Sequence, residues 1–272
     1  MQGVGNDFVV VAAHDVVDKS LPDLALTLCE RRFSIGADGL LVIGRPSSDA
    51  AFSFRMFNPD GSEDMCGNGM RCAALWAHRH GLVNYGGFHV DTKDGRRDCN
   101  LISVSKRSAI VAVNMGAPKF GAADLPMTGS LSTFVAQPIQ VLDRSFLSTV
   151  VNTGSTHSVV FLNAPVDDRT FFTYSPTFEN LSIFPERTSV LWTWNSGHDR
   201  FAVRIWERGA GETLGCGTGA CAAAVAAVLN GKANRAEDIL ISSKGGDLTI
   251  RWTDTIWMTG PAELVFEGEI GQ

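Results

Sequence analysis

Along most of this chain, apolar and polar positions alternate over short stretches bounded by turn residues. The runs DFVVVAA (7–13), GLLVIG (39–44), FSFRMF (52–57), AIVAVNM (109–115), TVVNTG (149–154), HSVVFL (157–162), SVLWTW (189–194), FAVRIWE (201–207), DILISSK (238–244) and DLTIRW (247–252) are rich in β-branched and aromatic residues. Gly, Asp, Asn or Ser flank most of them, which is the chemistry of strands and turns, so strand is predicted to dominate. Helical spacing is confined to three stretches: LPDLALTLCERR (21–32), MRCAALWAHRHG (70–81) and TGACAAAVAAVLNGK (218–232). The second sets Met70, Ala73, Ala74 and Ala77 on one face, with Arg71, His78 and Arg79 outside it and Gly81 as the C-terminal cap. The third is apolar all round until Asn230 and Gly231, the pattern of a helix buried on every side.

Those last two helices follow directly on two related sequences, CGNGMRCAA (66–74) and CGTGACAAA (216–224). A cysteine, two glycines and an alanine-rich run thus occur twice, half a chain apart. The predicted fold is α+β, with two similar halves, each a set of strands wrapped around a central helix that starts in a glycine-rich cysteine loop. The segment 116–137, relatively rich in Gly, Pro, Ala and Ser, is the expected place for the chain to pass between halves.

Length and composition narrow the function. The 272 residues are 44% hydrophobic and 19% charged, with a formal net charge of -6, and the chain is long enough for two cores. No stretch concentrates Lys or Arg as a nucleic-acid surface requires, which leaves a small molecule as the expected partner. No apolar run approaches a membrane span, and FVVVAA (8–13) is too short for a signal h-region, so a cytoplasmic location is expected. In that compartment Cys29, Cys66, Cys72, Cys99, Cys216 and Cys221 stay reduced, and their spacing fits neither a disulfide framework nor a zinc site. No metal is expected.

Cys66 and Cys216 carry the candidate chemistry. A helix N-terminus exposes unpaired N–H groups and about half a positive charge, so it attracts a carboxylate and stabilises a thiolate. There a thiol pKa is expected to fall to roughly 3.5 to 7.5. Two such thiols suit racemisation, in which a thiolate removes the Cα hydrogen on one face and a neutral thiol returns one on the other. None of the six lysines lies in a comparable loop, so no pyridoxal phosphate or other cofactor is implied. Cys72 and Cys221, inside the helices, read as small core residues, and Cys29 and Cys99 have no assigned role. Two other classes compete. A nucleotide binder lacks its signature, because GAGETLG and CGNGMRC neither complete G-x-G-x-x-G nor lead to GK[ST]. A thiol redox switch would use the same two cysteines.

GVGNDF (3–8), FSIGADGLL (33–41), FNPDGSEDMCGNGMRC (57–72), NTGSTHSVV (152–160), FPERTSV (184–190) and ERGAGETLGCGTGACA (207–222) occur in the order and spacing of diaminopimelate epimerases, a cofactor-independent racemase family that the chain resembles along nearly its whole length. The resemblance implies two pseudo-symmetric domains, each a curved, mostly antiparallel sheet around a central helix, with the active site in the cleft between them. They are expected at 1–113, joined by a returning 258–272, and at 114–257. It implies interconversion of LL- and meso-diaminopimelate in lysine and peptidoglycan precursor synthesis, in a homodimer. Cys66 and Cys216 match the acid/base pair, and Gly67, Asn68, Gly217 and Thr218 the helix-end groups that hold the reacting carboxylate. Glu207 and His157 match residues that adjust thiol protonation, Glu207 lying near the reacting ammonium. Asn6, Asn58 and Arg208 match residues that grip the substrate.

Three positions depart from the common family pattern: Gly39 stands where Gln is usual, Ser155-Thr156 replaces Asn-Pro, and Ser189 replaces Asn. Ser155 and Ser189 fall where an amide binds the far end of diaminopimelate, and serine has a shorter reach and fewer donors. A racemase or epimerase of another amino acid, such as histidine or a hydroxyproline, is therefore the alternative; Arg208 favours a substrate with a second carboxylate.

Overall fold

A computed structural model describes residues 1–121, 124–128 and 133–270. The chain divides into two compact units, Met1–Asn114 with Thr259–Gln272, and Met115–Met258. Of the segment expected to connect the halves, 122–123 and 129–132 lie outside the described residues, as do 271–272 of the returning tail.

The N-terminal unit contains strands β1 (Gln2–Gly3), β2 (Asn6–Ala12), β3 (Gly39–Gly44), β4 (Phe52–Phe57), β5 (Glu63–Asp64), β6 (Gly86–Thr92), β7 (Gly95–Val104) and most of β8 (Ser108–Gly116), with helices α1 (Leu21–Leu28) and α2 (Gly67–Arg79). The C-terminal unit contains β9 (Gln137–Val141), β10 (Arg144–Asn152), β11 (Thr156–Leu162), β12 (Ser189–Gly197), β13 (Arg200–Glu207), β14 (Gly211–Thr213), β15 (Asp238–Ser243) and β16 (Gly246–Trp252), with helices α3 (Asp168–Glu179) and α4 (Gly217–Leu229). The last strand, β17 (Ile256–Glu263), carries the chain back to the N-terminal unit.

Within each unit the same sequence of pairings recurs. β2 and β3 are parallel with α1 as their crossover, and β11 and β12 are parallel with α3 as theirs; parallel neighbours need such a connection. An antiparallel partner follows, β4 or β13, then a short strand, β5 or β14, then the cysteine loop and its helix. The chain emerges into a strand parallel to that partner, β6 or β15, and closes an antiparallel hairpin with β7 or β16. The registers give residue equivalences: Gly39 lies opposite Phe8 and Ser189 opposite His157, while Leu40 pairs with Phe57 and Val190 with Trp206. Phe8 thus corresponds to His157, Asn6 to Ser155, Gly39 to Ser189 and Asn58 to Glu207.

The two cysteine helices sit at the centre of their units. α2 packs on β1, β2, β3, β4 and β7, and α4 on β10, β11, β12, β13, β15 and β16. Ten of the thirteen residues of each are buried, which for α4 follows from its apolar sequence. The α2 face was expected to leave Arg71 outside; the structure buries it completely. Its guanidinium is accommodated because Nε donates to the Pro261 carbonyl (3.0 Å) and Nη2 to Asn68 Oδ1 (2.9 Å). Gly81, at φ +74, closes α2 one residue past its cap as expected.

Two other helix expectations need correction. α1 stops at Leu28 rather than 32, and Arg31 beyond it turns to Asp7 and Asp38. The sequence DRTFFTYSPTFE gave no helical signal, because aromatic and β-branched residues and an internal Pro176 are poor helix formers, yet it forms α3. Tertiary packing decides it: Phe171, Tyr174 and Phe178 enter a core with Val150, Val160, Val190 and Trp192, and Asp167 caps the helix through the Thr170 N–H. Trp192 Nε1 donates to Ser175 Oγ at 2.8 Å, both fully buried, and ties α3 to β12. Trp192→Phe would leave that hydroxyl unpaired and is expected to lower stability by about 1–3 kcal/mol in urea unfolding, with Ser175→Ala in the same background restoring part of the loss.

Candidate active site

Both cysteines are helix N-caps with nearly the same backbone, φ -131 and ψ 115 at Cys66, φ -134 and ψ 116 at Cys216. In each the N–H three residues on, Gly69 or Gly219, points at the sulfur from 3.4 Å. Glycine fits there without displacing a neighbour: a Cβ would lie 2.9 Å from Leu41 Cδ2 at residue 69 and 3.2 Å from Leu191 Cδ2 at residue 219, so any side chain needs the leucine to shift. Leu41 and Leu191 are equivalent residues of β3 and β12, so the same packing contact recurs at both loops.

The surroundings of the two sulfurs differ. Around Cys66, the Asn6 side chain presents Oδ1 at 3.8 Å from Sγ, and Asn68 Nδ2 approaches the same oxygen at 3.4 Å. Asn6 Nδ2 donates to Asp38 Oδ2 at 2.6 Å. Asn58, expected beside them, spends its amide in a turn, donating to Ser62 Oγ at 3.0 Å, while Asp60 accepts from the Ser62 N–H.

Cys216 is 6% exposed and its Sγ lies 3.3 Å from both Glu207 Oε1 and Thr218 Oγ1. The other oxygen of Glu207 accepts from Thr213. Burial first, then the neighbouring Glu207 carboxylate, push the Cys216 thiol well above its ordinary range, so it is protonated at neutral pH. The expectation of a lowered value therefore fails at this cysteine: the helix end and the Thr218 and Gly219 contacts act in that direction, and desolvation beside an anion outweighs them. The Thr153 hydroxyl donates to the Thr218 carbonyl at 2.8 Å and fastens the 153–155 loop to the start of α4.

His157 is fully buried in β11, with Nε2 3.0 Å from Ser155 Oγ. Burial and the nearby Arg208 charge push the ring down to about 3, so it is neutral. Ser189 Oγ accepts from the backbone N–H of Arg208 at 3.1 Å, and the Arg208 guanidinium donates to the Glu186 carbonyl. At Gly39 a Cβ would meet Met56 Cε at 2.7 Å and the Phe57 carbonyl at 3.1 Å, so a side chain there would require Met56 to move. The structure thus gathers Asn6, Cys66 and Asn68, with Gly67, in one unit, and Glu207, Cys216 and Thr218, with Gly217, in the other. Asp38, Arg31 and Arg71, which the sequence did not single out, stand behind the first group; Asp38 lay within the motif FSIGADGLL without a distinguishing signal of its own.

A family model described as diaminopimelate epimerase matches residues 1–121 and 149–265. The chain belongs to the diaminopimelate epimerase family. A diaminopimelate epimerase of Moorella thermoacetica is 43% identical over 99% of this chain and 97% of that protein, and one of Bacillus cytotoxicus is 38% identical over 98% and 94%. Among solved structures, a Bacillus anthracis phenazine biosynthesis protein of the PhzF family matches with a TM-score of 0.69 at 16% identity, covering 98% of this chain and 95% of the other. An Agrobacterium vitis hydroxyproline epimerase matches with a TM-score of 0.67 at 13% identity, covering 97% and 89%. At those identities the structures support the fold, in agreement with the α+β expectation. Among the described residues, no helix is long and apolar enough to cross a membrane.

His157 has a consequence for stability. The unfolded chain protonates this ring below its ordinary pKa of 6.5, whereas the folded protein does not until about pH 3. Its contribution is therefore fully present above pH 6.5 and is withdrawn as pH falls through that window. His157→Gln is expected to flatten the fall in unfolding free energy between about pH 6 and 4, by up to about 1.4 kcal/mol per pH unit. Urea titrations of both proteins across that range measure it, and parallel curves would contradict the burial assigned to this ring.

Proposed function

We propose that this protein interconverts LL- and meso-diaminopimelate by proton transfer at Cα, with Cys66 and Cys216 as its two acid/base groups and no cofactor. The observation that carries the reading is the repeated sulfur cap: two cysteines of matching backbone and matching N–H contact, each at the start of a buried helix, in a chain of this family. Cys216, held protonated beside Glu207, is the proton donor when Cys66 is the base. In that direction the Cys66 thiolate takes the Cα proton, the electron pair of the C–H bond passes toward the substrate carboxylate, and the Cys216 S–H proton is delivered to the opposite face of the carbon. The thiol and thiolate have then exchanged places, and the reverse reaction uses them in the opposite order. Charge gathering on the substrate carboxylate is stabilised by the N–H groups at the helix starts, through Gly67, Asn68, Gly217 and Thr218.

Asn6, Asn58 and Arg208 hold the ammonium and carboxylate groups of the substrate, and Ser155 and Ser189 meet its far end. Glu207 keeps Cys216 in the acid form, and His157 acts as a neutral ring through Ser155. A cytoplasmic location, a homodimer and a place in lysine and peptidoglycan precursor synthesis go with this reading and rest on the family resemblance.

The test is turnover of LL-diaminopimelate in deuterium oxide by the native protein beside Cys66→Ala and Cys216→Ala. Deuterium is expected at Cα for the native protein, and each variant is expected to lose about 10³-fold or more in kcat. Activity retained without either sulfur would overturn the two-base reading, and deuterium entering histidine or hydroxyproline but not diaminopimelate would reassign the substrate.

A further inference from the structure

We propose that Asp38 is a positioning residue for Cys66, acting through the side-chain amide of Asn6, with Arg71 fixing the other end of the same chain of amides. The inference rests on the reading of Cys66 as a reacting sulfur.

The polarity of the chain is determined at both ends by charge. A carboxylate only accepts hydrogen bonds, so the Asn6 atom 2.6 Å from Asp38 Oδ2 is its NH2 group, and the carbonyl oxygen faces the other way, toward Cys66. A guanidinium only donates, so the Asn68 atom 2.9 Å from Arg71 Nη2 is its oxygen, and its NH2 group faces Asn6. The two ends agree: Asn68 donates to the oxygen that Asp38 has already turned toward the sulfur. Neither end swings freely. Arg71 is fully buried and also reaches the Pro261 carbonyl, while Asp38 accepts from the Asp7 N–H and is bridged by Arg31, whose guanidinium also grips Asp7.

Among the described residues, the equivalent positions of the C-terminal unit carry no amide pair of this kind. The residues equivalent to Asn6, Asp38, Asn68 and Arg71 are Ser155, Thr188, Thr218 and Cys221, and the sulfur there meets a carboxylate instead. Asp38 thus belongs to what makes the two cysteines unlike. A carbonyl oxygen beside the sulfur accepts the S–H and favours the thiol, whereas an NH2 group there would favour the thiolate. With the amide locked, Cys66 is kept as a directed thiol until a substrate group engages the Asn6 oxygen, and its proton then leaves to water. The charged and titratable groups around this chain in the N-terminal unit include Asp7, Asp38, Arg31, Arg71, the buried Cys29 and Cys72 thiols and the Met1 amino group.

The experiment is the pH dependence of iodoacetamide alkylation at Cys66, followed by peptide mass without substrate, for the intact native chain and three variants. Asp38→Asn lets the Asn6 amide turn over, and the alkylation midpoint is expected to move down by about 1 pH unit. Asn6→Ala removes the acceptor while keeping the Arg31 ion pairs with Asp7 and Asp38, at the loss of one hydrogen bond to Asp38, and is expected to move it the same way, which keeps the test decisive if Asp38→Asn fails to fold. Arg31→Gln separates orientation from simple charge: a through-space effect of Asp38 requires it to raise the midpoint, and the proposal requires that it does not. A midpoint unchanged in Asp38→Asn and Asn6→Ala, or moved in opposite directions by Asp38→Asn and Arg31→Gln, would overturn the proposal. Failure of the native protein to exchange deuterium into diaminopimelate would instead remove the assigned reaction and leave the alkylation result standing.

Discussion

A sulfur capping the first turn of a buried helix is the interaction on which the rest of this structure depends. Cysteine is a poor cap beside Ser, Thr, Asp or Asn, because a neutral thiol accepts a hydrogen bond weakly and at long range, here 3.4 Å from the Gly69 and Gly219 N–H groups. Neither helix relies on its cap for existence, since ten of thirteen residues in each are enclosed by strands. That burial leaves the cap position to chemistry. It also explains the glycines, which admit Leu41 and Leu191 against the first turn and bring the N–H close to sulfur. A larger residue would crowd a core leucine at either position, and at 219 it would also press on Cys216 Sγ, 3.4 Å from the added Cβ.

The repeated frame supplies two thiols at equivalent positions, and the two-base reaction proposed above cannot use equal thiols. The inequality comes from single residues on a common frame. Glu207 stands where the other unit has Asn58, His157 where it has Phe8, Ser155 where it has Asn6, and Cys221 where it has Arg71. Each replacement changes charge or hydrogen-bonding capacity while leaving the strand register and helix cap alone. At Cys216 the outcome follows from magnitudes: the helix end draws the thiol toward ionisation, but burial beside a carboxylate opposes it more strongly. The fold therefore fixes where the sulfurs sit within their units, and a few polar residues around each decide what it does.

The repeat, the strand runs and the two cysteine helices were legible because they rest on local pattern: alternation for strands, an all-apolar helix for α4, glycine after cysteine for the caps. What was not legible depends on contacts between segments distant in sequence. α3 forms against the propensity of its aromatic residues because Phe171 and Phe178 reach a core assembled from β10, β11 and β12. Arg71 looked like a surface residue because the sequence does not announce the Pro261 carbonyl, 190 positions away, that receives it. Cys216 read as an activated thiolate for the same reason, since the proximity of Glu207 and the depth of burial are properties of the folded unit. Asp38 was hidden inside a matched motif: its place was visible, and its bond to Asn6 was not.

The serines show how a departure from a family pattern can be accommodated without disturbing its frame. Ser189 Oγ accepts the Arg208 N–H, and Ser155 Oγ lies on His157 Nε2, so both hydroxyls are already engaged within the C-terminal unit. Each oxygen sits on a short side chain whose position is set by strand β12 or by the start of β11, which removes the rotamer freedom that a longer amide would have to lose on binding. The Ser189 hydroxyl, having accepted from the backbone, retains its own proton to donate. Exchanging amide for serine thus gives up reach and one donor, and in return the backbone that carries Arg208 is tied to β12 by the same oxygen. Ser189 thus fixes the backbone at Arg208 and Ser155 fixes the ring of His157, so the departure from the family pattern leaves both groups tied to the strands that carry them.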